Sequence, residues 1–585
     1  MCGIIGYVGE KKASEIIFEA LRRIEYRGYD SAGIAVVDEG RLLVLKGEGR
    51  LDDINSEKNF LSLDGNIGIG HTRWATHGPP CERNAHPHTD EEGRVAIVHN
   101  GIIENFSELR TELEEAGVTI KSDTDTELVA HLISREMKKT SDVLGAVRKV
   151  VLRLKGTYSL GILVQGEDRL FLARKYSPLV IGKGSGEMFF ASDIPALLEH
   201  TKDFVLLQDG DLAEINSTGY RIIDSSGVEQ KREEIHVDWD AQMAQKGGYS
   251  HFMLKEIYEQ PNTLLSALSA DVSEAAGILK SAKKIAVIGC GTSYYAGLVL
   301  ENLLSKCGFN CRAFIASEYK AWSPRDEDVV LAISQSGETA DTLSALRSVK
   351  KRGAKIIALT NVVGSSMTRE ADSNLYLGVG PEIGVLATKS FTGQLVILYK
   401  IAFALCENLD KINLLNSVPD NVKEILEVNE GRIKEIANSL VEYKDFFFIG
   451  RGISNVAGLE GALKLKEVTY LHAESYAAGE LKHGPISLLQ DDVVVFAIAP
   501  SGEYLEKMKS NIQECKARGA KIIVMSDDEE ALSSGDYSIK MPKFDESLVV
   551  LYYVICLQLL AYFMAVKLGR DADKPRNLAK SVTVE

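Results

Sequence analysis

The chain has 585 residues, of which 45% are hydrophobic, and a formal net charge of −16. That length exceeds a single hydrophobic core and predicts three or four domains. A charge of this sign excludes a nucleic-acid backbone as partner, because such binding runs on clustered Lys and Arg, but it leaves small anionic substrates open.

Met1-Cys2-Gly3-Ile4-Ile5-Gly6 opens the chain. Removal of the initiator methionine would leave Cys2 with a thiol and a free α-amine in one residue, the amine having a pKa of about 7.7 to 8.0 and able to serve as base for the thiol. The strand-like Gly3–Val8 would anchor that cysteine at a sheet edge. No basic and apolar leader pattern precedes it, so nothing directs export. The eight cysteines are scattered without a CxxC pair, which predicts neither a zinc site nor a disulfide framework and fits a reducing cytoplasm.

Up to about residue 220, short strands alternate with few helices (Gly33–Val37, Asn66–His71, Val95–His99, Tyr158–Val164, Leu170–Arg174), as in a layered α+β domain. A polar stretch from Ser225 to Gly248 has loop and linker character. Beyond it the chain repeats itself. Lys284–Ser293 matches Asp445–Ser454, Asp328–Ile333 with Ser336-Gly337-Glu338 matches Asp492–Ile498 with Ser501-Gly502-Glu503, and Arg352–Ile357 matches Arg518–Ile523. Three blocks in one order at near-constant spacing mean two copies of a domain. Each block is a β-branched run that ends in a Gly, Ser or Thr loop and leads into helical periodicity, the pattern of parallel βα units in a doubly wound sheet. Neither Gly289–Ser293 nor Ser334–Thr339 is a dinucleotide or ATP fingerprint; two hydroxyl-rich loops at adjacent strand ends fit a sugar phosphate. Val549–Gly569 is nearly long and apolar enough to span a bilayer, but Gln558 and several tyrosines predict a buried core or interface helix.

Beside Cys2 stand Arg27-Gly28-Tyr29-Asp30-Ser31, His71-Thr72-Arg73-Trp74-Ala75-Thr76-His77-Gly78, His99-Asn100-Gly101 and Ser122-Asp123-Thr124-Asp125-Thr126-Glu127. Together these resemble the N-terminal-nucleophile glutamine amidotransferases over most of the first 220 residues. The resemblance implies a layered αββα glutaminase domain over 2–220, with Cys2 as nucleophile and Asn100 with the Gly101 N–H as oxyanion hole. It places Arg73 on the glutamine α-carboxylate, Asp125 on the α-ammonium, and Arg27, Trp74, Thr76 and His77 around the pocket. His86 and His88 with His71, His77 and His99 lack a metal-site pattern of acids, and the family resembled uses no metal.

The duplicated half resembles a tandem of sugar-isomerase (SIS) domains, here 271–412 and 436–576, after a linker and lead-in helix over 221–270 and before a C-terminal active-site loop over 577–585. Glu460–Glu467, Ala478–Pro485 and Pro575–Glu585 extend the likeness to the isomerizing glutamine:fructose-6-phosphate aminotransferases. That resemblance implies conversion of D-fructose 6-phosphate and L-glutamine to D-glucosamine 6-phosphate and L-glutamate without a cofactor. It assigns the phosphate to Ser334, Gln335, Ser336 and Thr339, and the sugar to Gly291, Thr292, Ser293, Val385 and Ala579. Lys580, by composition a solvated tail charge, becomes the Schiff-base lysine; Glu467, with Lys464 one turn before it, becomes the proton-transferring base. His483 becomes the ring-opening residue supplied by a partner subunit, hence a homodimer, with Trp74 gating an ammonia channel. The chain departs from the family at Ala387, where a hydroxyl residue is common. Amination of a different sugar phosphate is therefore the alternative, and a sugar-phosphate-sensing regulator is a third reading that the intact Cys2, Glu467, His483 and Lys580 oppose.

Overall fold

A computed structural model describes residues 2–25, 28–74, 78–237, 246–323 and 326–583. The chain divides into two units, residues 1–244 with 579–585, and residues 245–578.

In the first unit an eight-stranded antiparallel sheet runs in the order 234–236, 203–206, 180–183, 188–191, 3–8, 67–73, 31–38, 41–48. A six-stranded antiparallel sheet runs 219–223, 212–216, 170–175, 156–164, 95–103, 88–89. The strand Val95–Ile103 shows how they stack. Ala96 and Val98 share a core with Ile4, Ile69 and Phe190 of the larger sheet, while Val95 and Ile97 face Leu128, Val129 and Ile133 of the helix Thr126–Met137. Alternation of side chains along one strand thus feeds two apolar layers. The Phe190 ring fills the space left by two glycines, since a Cβ on Gly6 or Gly161 would come within 1.9 or 2.4 Å of it. The helix Ala13–Ile24 covers the outer face of the larger sheet, setting Ile17 against Gly70. The layers are therefore α, β, β, α. The polar stretch after Ser225 is not wholly linker, for Glu234–His236 pairs with Asp203–Val205 and completes the larger sheet.

The second unit holds two five-stranded parallel sheets of identical topology. One runs Cys311–Ile315, Ile285–Gly289, Val329–Ile333, Lys355–Thr360, Ser373–Tyr376; the other runs His472–Ala477, Asp445–Gly450, Val493–Ile498, Lys521–Ser526, Tyr537–Lys540. In chain order both read 2-1-3-4-5, so strand order reverses between the first and third strands, the place where such sheets take ligands. The helix Val549–Lys567 passes a length-and-hydropathy test for a membrane span, yet 94% of the apolar window is buried. It is the core helix of this unit. Its Gln558 accepts from Gln260 Nε2 at 2.9 Å. Gln260 belongs to the helix Phe252–Ser269, where Pro261 has no N–H for the Ile257 carbonyl; Gln260 Nε2 donates to that carbonyl instead, at 3.0 Å.

One expectation is corrected. Cys307 and Cys406 form a disulfide with their Cα atoms 5.8 Å apart and 99 residues between them in sequence. They follow the C-terminal ends of the helices Thr292–Lys306 and Lys389–Leu405, so the pairing is made by helix packing and leaves no trace in local cysteine spacing.

Candidate active site

Cys2 precedes the strand Gly3–Val8, whose Gly3 pairs with Thr72 of the strand Ile67–Arg73. That register sets the cysteine beside Trp74. The Trp74 N–H donates to Cys2 Sγ at 3.1 Å, and Sγ lies 3.5 Å from the Trp74 carbonyl. Asn100, reaching in from the other sheet, donates from Nδ2 to the Cys2 carbonyl at 2.9 Å. Gly101 follows with φ +129°, and a Cβ there would lie 2.1 Å from the Thr157 carbonyl, so only glycine fits this turn of the strand.

These residues line a pocket with Arg73, Trp74, Thr124, Asp125 and Thr126, and the tail residues Ala579, Ser581, Val582 and Thr583 line it too. Lys580 belongs to the same tail and to the same unit. Arg73 is 3% exposed; burial lowers its pKa, while the nearby Cys2, Asp30 and Asp125 act in the opposite sense. Asp125 immediately precedes the helix Thr126–Met137 and its carboxylate accepts the Ile103 N–H at 2.8 Å. A guanidinium and a carboxylate thus flank a thiol, the pair of opposite charges that the carboxylate and ammonium of an α-amino acid require. The expected residues Arg27, Thr76 and His77 lie outside the described residues.

Around the pocket, which His86 and His99 also line, is a buried histidine group that the sequence displayed without disclosing its order. His71 Nε2 lies 3.1 Å from the His99 carbonyl, 3.0 Å from Asn100 Oδ1 and 3.1 Å from His86 Nδ1. Both oxygens are acceptors, so His71 carries its proton on Nε2 and His86 Nδ1 is the bare nitrogen. Burial depresses the His71 pKa to about 3 against a weaker pull from Asn100, and burial likewise holds His86 and His88 far below the usual histidine range.

In the second unit, Gly291 with φ +52° turns the chain into the helix Thr292–Lys306, and Ser334–Thr339 leads into the helix Ala340–Lys350. The two loops follow the strands Ile285–Gly289 and Val329–Ile333, which are neighbours at the switch point. Ser334 Oγ lies 2.9 Å from Thr339 Oγ1 and accepts the Gly337 N–H at 3.1 Å; Ser336 Oγ accepts the Glu338 N–H at 3.1 Å. Gln335 contributes its carbonyl to Thr360 Oγ1 and to the Asn361 N–H. Ser293 Oγ accepts from Gln394 at 3.1 Å, and the Val385 N–H donates to the Asp573 carbonyl at 3.0 Å.

Thr292 Oγ1 donates to Glu460 at 3.2 Å, which ties the first loop to the helix Ser454–Thr469. Along that helix Lys464 Nζ lies 3.5 Å from Glu460 and 2.7 Å from Glu467. Glu460 and Lys464 are fully buried while Glu467 is partly open. Burial raises the Glu460 pKa to about 7, with Lys464 working against it. Burial also opposes the Lys464 charge, but the two carboxylates outweigh it and keep the lysine protonated. One ammonium thus lies between two acidic side chains, and burial favours a proton on Glu460. His483 ends the 3-10 turn Ala478–His483 and is exposed.

The second sheet carries the corresponding loops with other chemistry. Its Ser501 N–H is taken by Asp527 Oδ1 at 2.7 Å, where the first sheet has Asn361.

A glutamine amidotransferase domain model matches residues 71–199, and a SIS domain model matches 278–404 and 439–568. The chain is 49% identical to the glutamine–fructose-6-phosphate aminotransferase (isomerizing) of Pyrococcus horikoshii and 45% identical to that of Aquifex aeolicus, with all of both chains covered in each case. The C-terminal domain of glucosamine-fructose-6-phosphate aminotransferase from Francisella tularensis superposes with a TM-score of 0.53 at 35% identity, covering 56% of this chain and 99% of that one. Identity of this degree over the full length shows that the chain belongs to the isomerizing glutamine–fructose-6-phosphate aminotransferase family.

Proposed function

We propose that the chain transfers the amide nitrogen of L-glutamine to D-fructose 6-phosphate, giving D-glucosamine 6-phosphate and L-glutamate, the first step toward UDP-N-acetylglucosamine. The observation that carries this reading is one chain holding both a Cys2 thiol beside Arg73 and Asp125 and a hydroxyl loop at the switch point of a parallel sheet.

In the glutaminase half, Arg73 and Asp125 fix the amino-acid end of glutamine. The Cys2 sulfur attacks the amide carbon, the α-amine takes the thiol proton, and the oxyanion gathers the Asn100 Nδ2–H and the Gly101 N–H. Ammonia leaves, and water cleaves the thioester to glutamate. Arg27, Thr76 and His77 complete the pocket and Trp74 gates the exit of ammonia, which is passed to the sugar without loss to water.

In the sugar half, Ser334, Gln335, Ser336 and Thr339 hold the phosphate at the N-terminus of a helix. Gly291, Thr292, Ser293, Val385 and Ala579 surround the sugar. His483, contributed by a second copy in a homodimer, opens the ring, Lys580 forms the Schiff base at C2, and Glu467, with Lys464 beside it, moves the proton between C1 and C2. A single sugar site per SIS pair is favoured because Asp527 puts a carboxylate where a second phosphate would bind. The apolar helix Val549–Lys567, buried in the core, supports an enzyme that this helix does not anchor in a membrane, and the cytoplasm stays our reading of the compartment.

Incubation with glutamine and fructose 6-phosphate, with both products quantified, tests the reading. Equal glutamate and glucosamine 6-phosphate are expected, and Lys580→Ala should keep the glutamate and lose the amino sugar. Glutamate alone from the wild-type chain, with amino sugar appearing on another ketose phosphate, would overturn the choice of acceptor.

A further inference from the structure

An asparagine in an oxyanion hole helps only when its amide points the right way. With Nδ2 toward the pocket it donates to the developing oxyanion; turned over, it would present Oδ1 and repel the same charge. Asn100 Nδ2 has two N–H bonds. One goes to the Cys2 carbonyl at 2.9 Å, which leaves the other for the pocket that Asn100 lines. Oδ1 meets His71 Nε2 at 3.0 Å.

The sense of that contact is decided by His99. Its carbonyl, 3.1 Å from the same nitrogen, can only accept, so Nε2 bears a proton and offers it to Asn100 Oδ1 as well. A reversed amide would set the Asn100 NH2 against this N–H, donor to donor, at a buried position. The Cys2 carbonyl favours the same orientation, but Cys2 lies just outside its strand. His71 lies inside the strand Ile67–Arg73 and is 0% exposed. It neither lines the pocket nor reaches the glutamine site.

We propose that His71 is a positioning residue for glutamine hydrolysis: its Nε2–H, anchored on the His99 carbonyl, locks the Asn100 amide in the orientation that stabilises the oxyanion. The inference rests on the reading of Asn100 as an oxyanion donor. Because the lock acts only where negative charge develops, its loss lowers kcat and leaves the binding of ground-state glutamine largely alone.

Two substitutions of nearly equal volume isolate the donor. His71→Gln keeps an N–H within reach of Asn100 Oδ1, and His71→Met does not. In the full-length enzyme, kcat for glutamate release should fall about 10- to 100-fold in the Met variant, a part of what loss of an oxyanion donor causes, with KM moved by less than about threefold. The Gln variant should recover most of the rate. A glutamate γ-semialdehyde inhibitor, which the thiol converts to a tetrahedral oxyanion adduct, should lose affinity in parallel with kcat, whereas affinity for product glutamate should hold. A purely structural role would instead lower the melting temperature and damage both variants alike. Should the Met variant not fold, His71→Asn, whose amide is too short to reach, serves in its place with the same split expected. Equal kcat in the donor and non-donor variants would overturn the inference. Asn100→Ala with unchanged kcat would instead overturn the reading of the oxyanion hole itself.

Discussion

Trp74 holds the Cys2 sulfur with its backbone, donating its N–H to Sγ at 3.1 Å while its carbonyl lies 3.5 Å away. A thiol gripped by the residue that follows Arg73 is aligned by the same strand that carries Arg73, so the proposed nucleophile and the proposed α-carboxylate partner share one backbone frame. Cys2→Ala is expected to abolish glutamate release from glutamine while leaving fructose 6-phosphate binding within about twofold, because the sulfur and the hydroxyl loops belong to different units. Isothermal titration with the sugar phosphate, beside a glutaminase assay, checks this; loss of both in a folded variant would contradict it.

The Ser334 hydroxyl is bound within its own loop by Thr339 and Gly337, which pre-shapes the loop that we propose as the phosphate cradle. Ser334→Ala removes one ligand and the loop's internal tie. It should raise the KM for fructose 6-phosphate by about tenfold or more, in the range of a charge-assisted hydrogen bond. The KM for glutamine, measured without sugar, should not move.

Gly101 should tolerate no side chain. Its φ is +129°, and a Cβ at this position would approach the Thr157 carbonyl to 2.1 Å, so Gly101→Ala breaks the pairing with Tyr158. A destabilisation of about 2 kcal/mol or more is expected, measured by urea unfolding of the variant, together with loss of glutaminase activity.

The buried histidines predict acid sensitivity. His71 has its folded pKa depressed to about 3, and His86 and His88 are depressed well below 6.5. Below pH 6.5 the unfolded chain therefore binds protons that the folded chain refuses. Their contribution to stability is complete above about pH 6.5 and is lost as pH falls toward the folded values. Each such histidine costs about 1.4 kcal/mol per pH unit within that window. Unfolding free energy measured from pH 7 to 4.5 should fall with a multi-proton slope, and His88→Gln should reduce the slope by about one proton. An unaltered slope would assign the sensitivity elsewhere.

Much of this is legible in the sequence because it is written in short-range patterns. The duplicated βα units show as repeated β-branched runs ending in hydroxyl loops, and the structure returns them as two sheets with one strand order. Val549–Lys567 is separable from a membrane span by Gln558, which is indeed bonded inside the core. What escapes depends on packing between distant segments. Glu234–His236 is too short and polar to read as a strand, and it becomes one only because Asp203–Val205 offers an edge. The Cys307–Cys406 pair is set by where two helices end. His71 stands in view among the histidines weighed as metal ligands, but its bond to Asn100 spans 29 residues and two sheets, and no spacing rule carries that information. Asp527 in place of Asn361 is a one-atom change of chemistry whose meaning appears only once Ser501 is seen to be occupied by it.

The disulfide gives the chain conflicting redox needs. Cys2 carries the thiol that its proposed role as nucleophile needs, whereas Cys307 and Cys406 are joined as an oxidised pair. A reductant added to guard the nucleophile also acts on the cross-link that ties the ends of two helices, and an oxidant that keeps the cross-link closed endangers the nucleophile. Heat resistance and glutaminase turnover of this chain are thus tuned in opposite directions by a single variable, the thiol poise of the medium.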